Sequence, residues 1–234
     1  MTAQTKYQIG IVIFPGMTQL DVTGPNQVFA FMPDTRVHLL WKTTEPVTSS
    51  EGMTILPTTT FDECPSLEVL CVGGGAMGVI EMMEDSEVLE FLQQQSKTAK
   101  YITSVCTGSL ILAAAGVLQG YRAACHWLFR EQLAMLGVEV GTERVVVDRN
   151  RITGGGMTAG IDFGLVIAAK LCGDKTAEMI QLMLEYNPAP PFNTGSPENA
   201  GKGLVEQVKH MGKQLIEAYQ LQAKRTATRL GIHF

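Results

Sequence analysis

The residue best suited to chemistry in this chain is Cys106, which lies at the junction of a strand-like and a helix-like segment. The run 101–105 is rich in β-branched residues and favours a strand, whereas the alanine- and leucine-rich run 110–115 favours a helix. A strand that turns directly into a helix places its junction residue at the carboxyl edge of a sheet, near the positive helix end. A thiol there has its pKa lowered to about 3.5–7.5. We therefore interpret Cys106 as a nucleophile; the alternative is a buried cysteine that packs as a small hydrophobic side chain.

Asp21 is the candidate partner of this thiol. It lies in the segment Thr18–Pro25, shortly after the first strand-like run, where an aspartate often serves as a helix N-cap. Beside a thiolate, however, a carboxyl group keeps its proton because two anions in one pocket repel each other, and it then acts as a proton donor. We expect this second role for Asp21. Thr107 is expected to orient the sulfur through its hydroxyl or its backbone N–H.

Two glycine-rich loops follow predicted strands. The loop Gly73–Gly78 lacks the spacing of a dinucleotide or phosphate site, so nucleotide binding is not expected. Its backbone N–H groups, those of Gly74 and Gly75, are predicted to bind the substrate and stabilise developing negative charge. The loop Gly154–Thr158 is expected to form a pocket wall, with Met157 as a substrate-binding residue.

The histidines indicate neither a metal site nor a clear catalytic base. His126 is the only one in a central segment, but it lies well beyond Cys106, on the far side of the predicted helix. A structural role is the preferred interpretation, and a contribution of His126 to the site stays open. His38 alternates within a strand, and His210 and His233 lie in the terminal arm, so no cluster has metal-ligand spacing and no metal is expected.

Composition excludes several classes of protein. The 234 residues are 45% hydrophobic and 18% charged, which suits one large α/β domain with a sizeable core. A net charge of −5 without a basic tract argues against a nucleic-acid partner. No apolar run approaches the roughly 20 residues that cross a bilayer, and no secretory signal is recognisable, so we expect no membrane partner and a cytoplasmic location. Five scattered cysteines argue against a disulfide framework.

Short apolar strands alternate with helices, which predicts a mainly parallel sheet covered by helices on both faces. Sites in such sheets form at the carboxyl ends of strands, where Cys106 and the loop Gly73–Gly78 both fall. Residues 1–200 are predicted to form this domain and residues 201–234 a helical arm that packs on the core or, as we expect, on a dimer partner. The predicted strands are 7–14, 36–42, 68–72, 101–105, 144–148 and 151–153, and the predicted helices are 20–31, 86–98, the segment from Cys106 to Gly116, 127–136, 161–171, 176–185 and 203–230.

Several of these segments resemble the ThiJ/PfpI superfamily over roughly residues 7–192. Its members place a reactive cysteine at a strand–helix elbow with an acidic residue from the first helix nearby. The resemblance implies a flavodoxin-like three-layer sandwich with Cys106 and Asp21 in those roles. Peptidase and amidotransferase-like members carry a histidine after the cysteine, and Thr107 holds that position here, so proteolysis is not expected. The matching segments are Phe14-Pro15, Asp21–Pro25, Gly73–Gly78, Ser104–Gly108 and Glu185–Phe192.

Within the superfamily the chain is most similar to the isocyanide hydratase branch, on the segments Asp21–Pro25, Ser104–Ser109 and Gly154–Phe163. This resemblance implies a homodimeric enzyme without cofactors that converts a small-molecule isocyanide and water to an N-formamide through a thioimidate on Cys106. Two alternatives stay open. One is a glyoxalase or deglycase that acts on 2-oxoaldehydes through the same thiol. The other is a ligand- or redox-sensing domain, although regulators need a helix-turn-helix module and the segment after Pro191 is too short and not basic enough for one.

Overall fold

A seven-stranded sheet organises residues 5–232, the part of the chain that the structure, a computed structural model, describes. The predictions for residues 1–4 and for His233 and Phe234 lie outside the described residues. The strands are β1 (Tyr7–Val12), β2 (Thr35–Trp41), β3 (Val47–Thr48), β4 (Thr54–Ile55), β5 (Thr59–Thr60), β6 (Val69–Val72), β7 (Tyr101–Val105), β8 (Arg122–Ala123), β9 (Glu139–Val140), β10 (Val145–Asp148) and β11 (Arg151–Gly154).

The order of strands in the large sheet is β10-β11-β7-β6-β1-β2-β5, and every neighbouring pair except β10–β11 is parallel. β6 and most of β1 are buried, as expected for central strands covered on both faces. The carboxyl ends of β1, β6, β7 and β11 therefore meet at one edge of the sheet, which brings the loops after them together.

Two groups of helices cover this sheet. In the first, α1 packs on α6 and α6 on α7, with the rings of Phe29 and Phe163 in edge-to-face contact at 6.1 Å. In the second, α10 packs across α2, α4 and α5. The helices are α1 (Gln19–Ala30), α2 (Met77–Met82), α3 (Ser86–Gln95), α4 (Gly108–Ala114), a 3-10 helix (Trp127–Phe129), α5 (Arg130–Met135), α6 (Ala159–Cys172), α7 (Asp174–Met183), α8 (Pro197–Ala200), α9 (Lys202–Met211) and α10 (Lys213–Leu230).

This architecture confirms the predicted three-layer α/β sandwich with a mainly parallel sheet and C-terminal helices. Some local predictions were wrong. The helix expected over 203–230 is two helices, α9 and α10, separated at Gly212, and the helix expected over 127–136 begins as a 3-10 turn. The two-residue strands were missed, because so short a segment has no periodicity to recognise. Between residues 5 and 232, no helix is both long and apolar enough to span a bilayer.

The helix α10 lies on the core of its own chain. Tyr219, Ala223 and Ala227 are fully buried, and their small or planar side chains let the helix approach closely. At the far end of the helix, Arg229 donates hydrogen bonds to the carbonyls of Met83 at 3.3 Å and Ala114 at 3.0 Å. These carbonyls end α2 and α4, where a cation is favourable. α9, by contrast, buries none of its residues.

Candidate active site

Cys106 lies at the sharp turn between β7 and α4. Its φ of +60° is in the left-handed region, which non-glycine residues rarely adopt. The Cys106 N–H donates to the Gly154 carbonyl at 3.2 Å, and the Cys106 carbonyl accepts from the His126 N–H at 3.3 Å. The turn also requires Gly108, because a Cβ there would lie 2.2 Å from the Val72 carbonyl oxygen. Strained backbone of this kind is typical of nucleophile elbows.

Asp21 lies in the first turn of α1 and is completely buried. Thr18 is the N-cap of this helix, so the N-cap interpretation of Asp21 is wrong. Its Oδ2 accepts the Gly74 N–H at 2.8 Å, whereas its Oδ1 is buried without a hydrogen-bond partner among the described residues. Burial raises the pKa of Asp21 to about 7, and the Gly74 N–H and the Cys106 thiol oppose this rise. The pKa of Asp21 is thus raised, as expected, but its main cause is burial and not repulsion by a thiolate.

The Cys106 thiol is 4% exposed, and its protonation differs from the prediction. Burial, followed by the charge of Asp21, raises the pKa of Cys106 well above its ordinary value, and the Thr107 N–H only partly opposes this. The predicted lowering by the helix end is wrong, because α4 is only seven residues long and the thiol has lost its solvent. Burial thus raises the pKa of both Cys106 and Asp21, and each group disfavours ionisation of the other.

Thr107 connects the elbow to the glycine loop. Its Oγ1 donates to the Gly75 carbonyl at 3.0 Å and accepts the Gly75 N–H at 3.0 Å. Gly74 has no room for a side chain, since a Cβ there would lie 2.4 Å from Thr107 Oγ1 and 2.9 Å from Asp21 Oδ2. Both loop amides are thus engaged with side chains of the site and, while these bonds hold, are not free for a substrate. The loop positions Asp21 and Thr107, a role that the sequence analysis did not assign.

The His126 side chain caps the 3-10 helix that follows it. Its Nδ1 accepts the Leu128 N–H at 3.4 Å, which caps the 3-10 helix. Its ring packs beside those of Trp127 and Phe129, with centroids 6.1 and 5.9 Å away. Burial, and then the charge of Arg130, lowers the pKa of His126 to about 4, so the ring is neutral at neutral pH. Within residues 5–232, no three His, Cys, Asp or Glu side chains group as metal ligands.

Met157 lines a pocket of about 370 Å³ beside the elbow. Cys125, His126 and Gly156 also line this pocket, and Cys106 does not. The pocket is next to the site, since the backbone N–H of His126, one of its lining residues, donates a hydrogen bond to the Cys106 carbonyl. The Met157 side chain is 41% exposed. Its contact with a substrate stays a prediction.

Sequence reasoning missed two groups of residues around the site. Beneath the elbow, the hydroxyls of Ser104 and Ser109 are buried and lie 2.8 Å apart. Tyr219 of α10 places its hydroxyl 3.0 Å from the Gly75 carbonyl and 2.7 Å from the Ala76 carbonyl. The apolar spacing of the arm predicts that Tyr219 is buried, but spacing carries no information on which distant loop a side chain meets.

The backbone of Cys106 is in the left-handed region at a strand–helix turn, and a buried carboxyl group lies beside it. On a mainly parallel sheet, these features define a thiol site of a known class of α/β proteins. The chain belongs to the DJ-1/PfpI family, whose profile matches residues 7–170. This confirms the resemblance found in the motifs.

The chain is similar to three known proteins. It is 49% identical to a protein of Pseudomonas putida named isonitrile hydratase, over 96% of this chain and 98% of that one. A crystal structure of a ThiJ/PfpI family protein from Pseudomonas syringae superposes with a TM-score of 0.91 at 43% identity, covering 94% and 92% of the two chains. The HTH-type transcriptional regulator GbdR of Pseudomonas aeruginosa is 34% identical over 64% of this chain and 41% of its own length.

Proposed function

We propose that this chain hydrates isocyanides to N-formamides, with Cys106 as the nucleophile and Asp21 as the group that moves protons. The observation that carries the proposal is the buried pair itself: the thiol and the carboxyl group are both excluded from solvent, and burial raises the pKa of each. His126 is occupied as a helix cap and does not supply the base that cysteine hydrolases use. The relative named isonitrile hydratase supports the same reaction, since isonitrile is another word for isocyanide.

In the first step, the sulfur of Cys106 attacks the terminal isocyanide carbon and forms a C–S bond. Asp21 takes the thiol proton as the sulfur attacks and passes it to the same carbon, which would otherwise become an imidoyl anion. The product is a neutral thioimidate on Cys106, and Asp21 is again a carboxylate. The unpartnered Oδ1 of Asp21 suits this role, because the Gly74 N–H holds only the other oxygen.

In the second step, water adds to the thioimidate carbon. Asp21 accepts a proton from the water and delivers one to the nitrogen, which leaves a tetrahedral carbon with a hydroxyl group. Collapse forms the carbonyl of the formamide, breaks the C–S bond and returns the hydroxyl proton through Asp21 to the sulfur. The sum is one isocyanide and one water consumed per formamide released. Proton transfer of this kind contributes about 10²–10⁴-fold to a rate.

The remaining site residues position this pair. The Thr107 N–H favours the charged form of the Cys106 sulfur, and Gly74 and Gly75 hold Asp21 and Thr107 in place. Met157 and its pocket would receive the rest of the isocyanide. Nucleophile and proton carrier are both side chains of this chain, so the proposed reaction requires no metal or organic cofactor.

The test mixes the purified protein with cyclohexyl isocyanide and follows N-cyclohexylformamide by NMR. We expect turnover in the wild type, loss of at least about 10³-fold in Cys106→Ala, and no change in Cys64→Ala, a half-buried cysteine whose thiol bonds to the Pro65 carbonyl. Acid quenching during turnover should leave a mass increase equal to the substrate on the peptide that contains Cys106. Turnover that survives the loss of Cys106 would contradict the mechanism.

The same samples distinguish the alternatives. Consumption of methylglyoxal without any formamide from isocyanides would favour a glyoxalase or deglycase. Saturable binding of an isocyanide without turnover would favour a sensing domain, a role compatible with the partial similarity to the regulator GbdR.

We further infer a homodimer in the cytoplasm, in which residues 1–200 form the α/β domain and residues 201–234 the arm. Three apolar side chains of α7, those of Met179, Leu182 and Met183, are more than half exposed, and a second copy would cover such a face. All five cysteines are free, which suits a reducing compartment. Light scattering after size-exclusion chromatography tests the dimer: a monomer mass at micromolar concentration would contradict it.

A further inference from the structure

Tyr219 ties the C-terminal arm to the centre of the site. Its side chain is fully buried and its ring lies 4.3 Å from that of Phe129. The single hydroxyl proton lies between two carbonyl oxygens, those of Gly75 and Ala76, and both belong to the glycine loop. Tyr219 also lies outside residues 7–170, the part of the chain that the family profile matches.

We propose that Tyr219 is a positioning residue for the Cys106–Asp21 pair, with its hydroxyl fixing the glycine loop that holds Asp21 and Thr107. The proposal rests on the hydratase function for its kinetic consequence, although its structural part applies to any chemistry of Cys106. The arm would then be a component of the active site.

The hydrogen bonds form a continuous path from Tyr219 to the pair. The Gly75 carbonyl accepts from both Tyr219 and Thr107, and the Gly75 N–H donates back to Thr107. The adjacent amide, that of Gly74, donates to Asp21. A Cβ on Gly74 would collide with the side chains of Asp21 and Thr107, so the loop is closely packed against both. Movement of the loop must therefore move Asp21 and Thr107 together.

The position of the hydroxyl argues against a role limited to attaching α10. The helix is already held by close packing at Ala223 and Ala227 and by the hydrogen bonds of Arg229 to α2 and α4. A buried tyrosine hydroxyl needs an acceptor, yet both acceptors here are in the one loop that holds the site. Burial raises the pKa of Tyr219, so its hydroxyl remains a donor at all working pH values.

The decisive variant is Tyr219→Phe, which removes the hydroxyl and keeps the ring packed against that of Phe129. We expect kcat to fall about tenfold with KM unchanged within about twofold, because the loop carries the proton-transfer geometry and not the substrate pocket. Tyr7→Phe is the matched control, since it also removes one tyrosine hydroxyl bonded to a carbonyl, that of Leu171 at 2.8 Å, and lies at the amino end of β1. This control should keep the wild-type kcat.

A second readout separates positioning from stability and does not require hydratase activity. The rate at which iodoacetamide alkylates Cys106, read from the mass of its peptide, is measured against pH. Loosening the Gly74 and Thr107 amides removes hydrogen bonds that favour the charged forms, so Tyr219→Phe should move the profile upward by about 0.5 pH unit. A lower melting temperature with an unchanged alkylation profile would overturn the proposal, whatever the result of the hydratase assay.

A double-mutant cycle with Thr107→Val tests the path itself. If Tyr219 acts through Gly75 and Thr107, the alkylation rate of the double variant should be close to that of Thr107→Val alone, since contacting residues do not act independently. Rate losses that simply multiply would overturn the path, even where both single variants are folded and slow.

Discussion

Two buried titratable groups, His38 in β2 and Asp21 in the first turn of α1, have opposite environments. His38 is 5% exposed, and its ring nitrogens lie 2.8 Å from Thr59 Oγ1 and 2.7 Å from Gln8 Oε1. Burial lowers the pKa of His38, so the ring stays neutral with both nitrogens satisfied. Asp21 is more deeply buried, and one of its oxygens has no partner within residues 5–232. It lies beside Cys106, whose backbone is strained.

The difference distinguishes two polar clusters. His38 with Thr59 and Gln8 (the His38 cluster) stabilises the fold, and Asp21 with Cys106 (the Asp21 cluster) is suited to catalysis. A buried group with all its partners costs little and rigidifies the core. A buried carboxyl group with an unpartnered oxygen costs stability, and such costs concentrate at functional sites. Substitutions at the Asp21 cluster should therefore change the rate and can raise stability, whereas substitutions at the His38 cluster should change stability alone.

The largest effect is expected for Asp21→Asn. The amide oxygen can still accept the Gly74 N–H, but the side chain no longer carries a proton between sulfur and substrate, so kcat should fall about 10²–10⁴-fold. The pKa of Asp21 is about 7 in the folded protein against an ordinary 3.8, so folding takes up a proton between these values and stability falls as pH rises through them. At pH 8 the variant should therefore be more stable than the wild type by about 2–4 kcal/mol. Urea unfolding at pH 8 measures this, and a less stable variant would contradict the comparison.

Gly74→Ala should have the next largest effect. Its new Cβ would approach Thr107 Oγ1 and Asp21 Oδ2, so the loop must shift and both side chains with it. We expect kcat to fall about 10–100-fold and stability to fall by about 1–3 kcal/mol. Gly203→Ala in α9 is the control, because nothing lies near its Cβ, and it should keep full activity and gain about 0.5–1 kcal/mol. Equal behaviour of the two variants would show that the close approach at Gly74 does not matter.

The pH dependence should report the protonation of Asp21. Below about pH 7, Asp21 is protonated and cannot accept the thiol proton, so kcat/KM should fall about tenfold per pH unit. Above pH 7 it should stay level until the thiol itself ionises, since the pKa of Cys106 is raised. Steady-state assays from pH 5 to 9 measure the profile. Activity that instead declines from pH 6 to 8 would indicate that a neutral Asp21 is required at rest.

His38→Phe should have the smallest effect on activity. It removes the hydrogen-bond partner of the Thr59 hydroxyl and of the side-chain amide oxygen of Gln8, which should lower the free energy of unfolding by about 1–3 kcal/mol. The kcat should remain within twofold of the wild type, because no hydrogen bond in the described part of the chain connects His38, Thr59 or Gln8 to the glycine loop. A kcat loss comparable to that of Gly74→Ala would remove the distinction between the two clusters.

Local patterns predicted the parts of the fold that depend on neighbouring residues. The strand Tyr101–Val105 was predicted with its observed bounds, and the hairpin of β10 and β11 was predicted to within one residue. Errors occurred where burial or a contact far along the chain decides the outcome. The pKa of the Cys106 thiol is raised and not lowered, and the amides of Gly74 and Gly75 bind Asp21 and Thr107 and are not free for a substrate.

The order of residues shows which chemical groups are available and where along the chain they occur. The β-prone run before Cys106, the glycine that allows its sharp turn and the aspartate after the first strand are local features, and local propensities are readable without a structure. Tertiary structure alone decided their state. Asp21 and Gly74 are 53 residues apart, and Tyr219 and Gly75 are 144 apart. Only folding brings such groups together and excludes water from them, and loss of water sets the protonation of the pair.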